Sequence, residues 1–317
     1  MEPLLKTIDL KKYFKVGSGQ LHAVDGVNIE IKEGQTLGVV GESGCGKSTL
    51  GRVVLRLLEA TSGQVLFQGK DILKNSRQEM NNIRRQMQII FQDPFSSLNP
   101  RMSVFDLIAE PLVMNHVHKS NQEMTVRILK LMEIVGLAER FINTYPHEMD
   151  GGRRQRVGVA RALALSPKFI VCDEPVSALD VSIQAQILNL LMDLQEEMKL
   201  TYMFITHDLS VVKHISDEIA VMYLGQCVER AESKELFKNP MHPYTKALLS
   251  AIPVPRLTGK KNRQIIRGEV SDPIDPKPGC RFAARCDYCT EKCLGQDIPL
   301  KEQVAGHFVA CRLYPMI

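Results

Sequence analysis

The chain has 317 residues, 44% of them hydrophobic and 24% charged, which suits one large or two smaller soluble domains with a substantial core. Forty Lys and Arg against 36 Asp and Glu leave a net charge of only +4, so no strongly basic surface marks the chain as a nucleic-acid binder. No stretch approaches the roughly 20 apolar residues that span a bilayer, and the start MEPLLKTIDLKKYF has no apolar leader with a cleavage site, so a cytosolic chain is expected.

Taken in chain order, LHAVDGVNIEI (21 to 31) alternates and QTLGVVG (35 to 41) is a short apolar run ending in glycine; both read as strands, the second buried. Helical spacing follows from Lys47 through Leu58, then a strand pair across GQVLFQGKDI (63 to 72). From about Met102 to Gly152 leucine, isoleucine and methionine recur at three and four residue intervals, as in a helical insertion. KFIVCDE (168 to 174) reads as a buried strand, residues 181 to 199 as an amphipathic helix and YMFIT (202 to 206) as another strand. Strands alternating with helices predict a parallel sheet with helices on its faces. Beyond Ala251 the texture changes: Pro253, Pro255, Pro273, Pro276 and Pro278 surround a basic KKNR segment, which places a domain boundary near 251.

GESGCGKST, residues 41 to 49, matches G-x-x-x-x-G-K-[ST] between an expected strand and an expected helix. Gly41, Glu42, Ser43, Gly44, Cys45 and Gly46 would curl so that backbone N–H groups cradle phosphates. Lys47 supplies a point charge, and Ser48, beside Thr49, a hydroxyl for Mg²⁺. Cys45 occupies a tolerant position and reads as incidental rather than reactive. The strand KFIVCDE delivers Asp173 and Glu174 at its carboxyl end, where ligands sit in open α/β sheets; Asp173 suits Mg²⁺, and Glu174 suits a general base for water. FITHD repeats the pattern with His207, and IIFQD ends on Gln92, a neutral group able to reach metal and water. Alone, each of these is an ordinary strand-end residue; their order gives them weight.

That order resembles the ATP-binding subunits of ABC transporters, over residues 4 to about 250: the P-loop, Gln92, a Gly-Gly signature at Met149, Asp150, Gly151, Gly152 and Arg153, the strand with Asp173 and Glu174, Ser177, Ala178, Leu179 and Asp180, and His207. The resemblance implies an α/β fold, a P-loop NTPase with a RecA-like core, an antiparallel β-subdomain and a helical subdomain at about 93–155. It also implies that ATP is sandwiched between two such domains, each P-loop completed by the partner's signature, with residues 177 to 180 at that interface. Phe14, or its neighbour Tyr13, falls where the family stacks an aromatic on adenine. FQDPFSSLNPRMSV (91 to 104), NPMHPYTKALLSAIP (239 to 253) and GCRFAARC (279 to 286) resemble the oligopeptide and dipeptide importer branch, which includes nickel systems; the chain is closest to the second ATPase of such pairs. The implied partners are a non-identical ATPase subunit, two integral membrane subunits and an extracellular solute-binding protein. Residues 1–250 form the expected ATPase domain and 251–317 the branch's C-terminal extension.

The signature departs from the family's Leu-Ser-Gly-Gly-Gln. Its serine donates to the γ-phosphate of the partner's nucleotide, whereas the carboxylate of Asp150 only accepts and faces an anion. Arg153 offsets that charge by pairing with Asp150 or by reaching the phosphate itself. Two unequal ATP sites in a heterodimer are therefore expected, with the tolerance of Asp150 at full activity as the alternative.

Of eight cysteines, Cys280, Cys286, Cys293 and Cys311 stand where some members of the importer branch hold a [4Fe-4S] cluster, and Cys289 is additional. Their spacing fits neither a standard zinc ribbon nor a ferredoxin run; the resemblance puts a cluster ahead of zinc, with free structural thiols as the alternative. A soluble ABC ATPase of translation or DNA repair is the rival from another class; such chains carry two ATPase units or a long coiled coil, and this one has one unit and no sustained heptads. An ATP-binding subunit without turnover is disfavoured by Glu174 and His207.

Overall fold

The computed structural model describes residues 2–117, 120–252 and 273–315. Pro253, Pro255 and the KKNR segment lie outside the described residues. The chain forms two compact units, Met1–Lys74 with Phe204–Ile317, and Asn75–Met203.

In the first unit β1 (Leu5–Val16) runs antiparallel to β2 (Gly19–Val27), to the short β3 (Glu30–Ile31), and, across its other edge, to β5 (Ser62–Phe67), which turns into β6 (Lys70–Asp71). The strand expected over 21 to 31 is thus two strands. Gly26 takes a left-handed φ of 69°, and the buried Thr7 hydroxyl donates to the Val27 carbonyl while accepting from Ile29 N–H, pinning the break. Between them β4 (Thr36–Val40) is buried at every residue and leads into α1 (Lys47–Val54). This helix stops short of Leu58 because Arg56 turns left-handed at φ 50° and the N–H groups of Leu57 and Leu58 return to the Arg52 carbonyl.

In the second unit α2 (Arg77–Gln86) begins on a Ser76–Glu79 capping box and feeds β7 (Met87–Ile90). A single turn, α3 (Pro94–Ser97), precedes α4 (Val104–Met114), α5 (Asn121–Ile134) and α6 (Gly151–Leu163), so the stretch from 102 to 152 is mostly helical as its spacing predicts. β8 (Phe169–Asp173) lies parallel to β7, Met87 opposite Phe169, and is wholly buried, hence its unbroken apolar sequence. α7 (Val181–Met198) follows, and β9 (Thr201–Thr206) carries the chain back into the first unit.

There α8 (Leu209–Ile215) leads to β10 (Glu218–Tyr223), parallel to β4, and β11 (Gln226–Glu232) returns antiparallel. After α9 (Ser233–Lys238) and α10 (Pro243–Ala251), the hairpin β12 (Lys301–Val304) and β13 (His307–Val309) extends this sheet in the order β12-β13-β11-β10-β4. The C-terminal residues thus add strands to the first unit. They are joined to it through Glu229, fully buried, whose carboxylate accepts from Met241 N–H and His242 N–H and meets His307 Nε2 at 2.8 Å.

Candidate nucleotide site

In the first unit β4 ends on the glycine-rich loop, and the loop's shape excludes side chains where it folds tightest. Gly46, at φ 102°, caps α1, and a Cβ there would fall 1.9 Å from the Ala23 carbonyl oxygen; one on Gly41 would fall 2.2 Å from that of Met222. Lys47, only 4% exposed, folds back beneath the loop, its Nζ donating to the carbonyls of Gly41 at 2.8 Å and Glu42 at 2.9 Å. A buried ammonium held by carbonyl dipoles rather than a carboxylate, at a helix N-terminus, leaves positive potential in the curl. That suits a polyphosphate. Cys45 is buried, and burial raises its thiol pKa although Lys47 opposes the shift, in keeping with an unreactive position. Ser48 and Thr49 occupy the first turn of α1.

Phe14 and Tyr13 are neighbours on β1 and so face opposite sides of the sheet. Tyr13 stacks on His22 with ring centroids 3.9 Å apart and its hydroxyl donates to Asp25 at 2.5 Å, while the Phe14 ring lies 4.9 Å beneath Lys12 Nζ. His207 is exposed immediately after β9, and Asp208 caps α8 by accepting from Ser210 N–H at 2.7 Å.

In the second unit Asp173 ends β8 at 2% exposure, and Glu174 follows in a left-handed conformation at φ 48°. Strained backbone of this kind persists where the surroundings hold it, and here the Glu174 carbonyl accepts from both the N–H and the hydroxyl of Ser177. The turn aims the Glu174 carboxylate at Gln92, whose Nε2 donates to Oε2 at 3.0 Å. Two residues 82 apart, each weak evidence alone, are thereby brought together.

The signature lies at the start of α6. Asp150 is the N-cap, accepting from Arg153 N–H at 2.8 Å, and its other oxygen pairs with Arg153 Nη1 at 3.1 Å. Of the two compensations open to Arg153, the structure shows the internal pair; the guanidinium also lies over Phe141, 4.7 Å from the ring centre. Met149 is buried and its carbonyl accepts from Arg154. A Cβ on Gly151 would come within 3.0 Å of Leu179 and one on Gly152 within 2.7 Å of Ile183, so the Gly-Gly pair lets α6 approach the segment running through Ser177, Ala178, Leu179 and Asp180 into α7.

Cys280, Cys286, Cys289, Cys293 and Cys311 line a single pocket in the first unit. Burial, then the neighbouring thiols of Cys293, Cys311 and Cys286, pushes the Cys280 thiol up to about 12. Among the described residues no three His, Cys, Asp or Glu side chains are arranged to hold a metal ion. As placed, the thiols share a pocket without forming a ligand set.

The sequence alone assigns no role to Arg281, Arg285, Asp25 or Tyr244. Arg281 reaches Asp25 and the Leu224 carbonyl, while Arg285 grips Glu42 within the loop. The only sequence signal was two arginines four apart between Cys280 and Cys286.

The description "ABC transporter" matches residues 24–177, and "Oligopeptide/dipeptide transporter, C-terminal region" matches residues 228–293. The oligopeptide transport ATP-binding protein AppF of Bacillus subtilis is 49% identical over 99% of this chain and 98% of its own. OppF of Salmonella typhimurium, named for the same role, is 50% identical over 97% and 95%, and the dipeptide transport ATP-binding protein DppF of Haemophilus influenzae 48% over 98% and 96%. Among solved structures, a dimer of the ATP-binding cassette MJ0796 with ADP and Pi has a TM-score of 0.66 at 31% identity, covering 72% of this chain and 98% of that one. The fold is accordingly that of the P-loop NTPases, and the glycine loop and Lys47 fit ATP with Mg²⁺. The chain belongs to the family of ATP-binding subunits of oligopeptide and dipeptide ABC transporters.

Proposed function

We propose that this chain hydrolyses ATP at the cytoplasmic face of the membrane to drive uptake of oligopeptides or dipeptides through separate membrane subunits, with an extracellular solute-binding protein delivering the cargo. No described helix is long and apolar enough to cross a membrane. The observation that carries the ATPase reading is Lys47, buried beneath the glycine loop on two carbonyls with its charge available to phosphates. ATP with Mg²⁺ supplies an electrophilic γ-phosphoryl group to attacking water. In the first unit the loop residues 41 to 49 bind phosphates, Phe14 stacks on the base and His207 orients the water. In the second unit Glu174 takes the water's proton at its carboxylate, Gln92 fixes that carboxylate through Oε2, and Asp173 and Gln92 would be the Mg²⁺ ligands; in the first unit the Ser48 hydroxyl would be one. The division into an ATPase domain over 1–250, with its helical subdomain at about 93–155, and an extension over 251–317 belongs to the same reading. The complex reconstituted in vesicles should take up labelled peptide only with ATP, and Glu174→Gln should abolish uptake. Transport of nickel or another small solute in place of peptide would move the chain to a sister system.

The partner ATPase is proposed to be non-identical and the two ATP sites unequal. Asp150 gives this reading its support: one oxygen caps α6, the other pairs with Arg153, and neither donates. Since Arg153 neutralises the carboxylate, the defect is a missing donor rather than an added charge. Glu174→Gln here and the matching change in the partner should reduce ATPase activity unequally; equal losses would sink the asymmetry.

A cluster on Cys280, Cys286, Cys293 and Cys311 is supported by their common pocket alone. Anaerobically purified protein that is colourless and iron-free would remove it.

A further inference from the structure

Outside the nucleotide motifs, a polar assembly in the first unit surrounds the turn between two cysteines. The Cys280 carbonyl accepts from Ala283 N–H, that of Phe282 from Arg285 and that of Ala283 from Cys286, while Cys280 N–H donates to the Cys293 carbonyl. This tight, doubly anchored turn presents three side chains to the rest of the unit. Phe282, 3% exposed, meets Tyr223 and Tyr244 at centroid distances of 5.3 and 5.4 Å. Arg281, its side chain 6% exposed, pairs with Asp25, which holds the Tyr13 hydroxyl on the strand that carries Phe14. Arg285, its side chain 8% exposed, reaches both carboxylate oxygens of Glu42, at 2.8 and 3.2 Å, and lies 3.3 Å from the Tyr223 hydroxyl.

Glu42 is the second residue of the phosphate loop and is fixed at three points: its N–H donates to the Tyr244 hydroxyl at 2.9 Å, its carbonyl accepts from Lys47, and its carboxylate takes the fork of Arg285. An acid inside a loop that must accept a polyphosphate opposes the ligand unless a cation cancels it. A bidentate guanidinium cancels the charge and also sets the side chain's direction.

We propose that Arg285 is a positioning residue for ATP: by pairing with Glu42 it neutralises the one carboxylate of the phosphate loop and holds the loop in its binding shape, so the cysteine-bounded turn sets nucleotide affinity.

The test is a double-mutant cycle on the full-length chain, reading Kd for ATP by displacement of a fluorescent nucleotide and Tm as a check on folding. Arg285→Ala should weaken ATP roughly tenfold or more, the scale of one unpaired charge beside a multivalent anion, and raising salt should narrow the deficit. Arg285→Lys should recover part of the affinity. In the Glu42→Gln background the same Arg285→Ala change should cost less than about twofold, because no charge remains to cancel. In the assembled complex the loss should fall on KM for ATP, with kcat at saturating ATP little changed. Lys47→Ala, which removes ATP binding whether or not Arg285 matters, separates failure of the nucleotide site from failure of this proposal. Arg285→Ala binding ATP within about twofold of the unaltered chain would overturn it, as would an equal loss with Glu42 intact and in the Glu42→Gln background. Should Arg285→Ala not fold, Arg285→Gln with and without Glu42→Gln is judged by the same criteria.

Discussion

Replacing Asp150 with the family's serine isolates what the altered signature does. A serine hydroxyl still accepts from Arg153 N–H, and Ser and Asp are equivalent as helix caps, so α6 keeps its N-terminus. The lost Asp150–Arg153 pair is 58% and 44% exposed, which limits its worth to about 0.2–1 kcal/mol after solvent screening, so Tm should scarcely move. What the serine adds is a donor toward the partner's nucleotide, and a hydrogen bond to a charged group contributes about 1.5–3 kcal/mol. Placed in the transition state, that corresponds to roughly a tenfold to hundredfold rise in turnover at the reciprocal site, nearer tenfold if Arg153 already supplies a donor. The assay is steady-state ATPase of the assembled complex carrying Glu174→Gln in this chain, which silences its own P-loop site and leaves the reciprocal site to be read. An Asp150→Ser complex with unchanged or lower residual activity would refute the argument that the missing donor makes the sites unequal.

Gly46→Ala should abolish ATP binding, because a Cβ 1.9 Å from the Ala23 carbonyl forces the loop open; nucleotide-dependent thermal stabilisation that persists would contradict this. Gln92→Ala should lower kcat, since Gln92 holds the Glu174 carboxylate; an unchanged kcat with an effect confined to KM would refute that role. Burial holds the His242 pKa down to about 4 from 6.5, so the unfolded chain binds the extra proton and stability falls as pH drops from 6.5 towards 4, by about 3 kcal/mol in all. His242→Asn, which keeps an acceptor for Tyr244 N–H, should flatten that part of the acid limb in denaturant titrations; an unchanged difference between pH 6.5 and pH 4 would dismiss His242 as its source. With Cys280 pushed up to about 12 and Cys289 exposed, iodoacetamide at pH 8 should label Cys289 well before Cys280 by mass spectrometry. Equal rates would show that the pocket is open.

The phosphate loop, the Asp173–Glu174 strand end and the signature were legible because each is a contiguous run whose chemistry demands particular residue types in order, and β8 and the middle helices because burial on both faces or on one stripe leaves its period in the sequence. Less local features were not. The break in the strand over 21 to 31 depends on Thr7, twenty residues from the Val27 carbonyl it holds. The stop of α1 depends on one left-handed arginine that helix propensity does not foresee.

By itself the sequence determined the nucleotide chemistry and the family, because neighbours in a tight loop or strand end are neighbours in space whatever the rest of the chain does. Only the tertiary structure decided that Tyr13 stacks on His22, that Asp150 is spent on its own helix and on Arg153, and that Arg285 closes on Glu42 from 243 residues away. Such pairs are made by the return of the chain to one sheet. No short-range pattern of composition or period records which distant charges that return brings together.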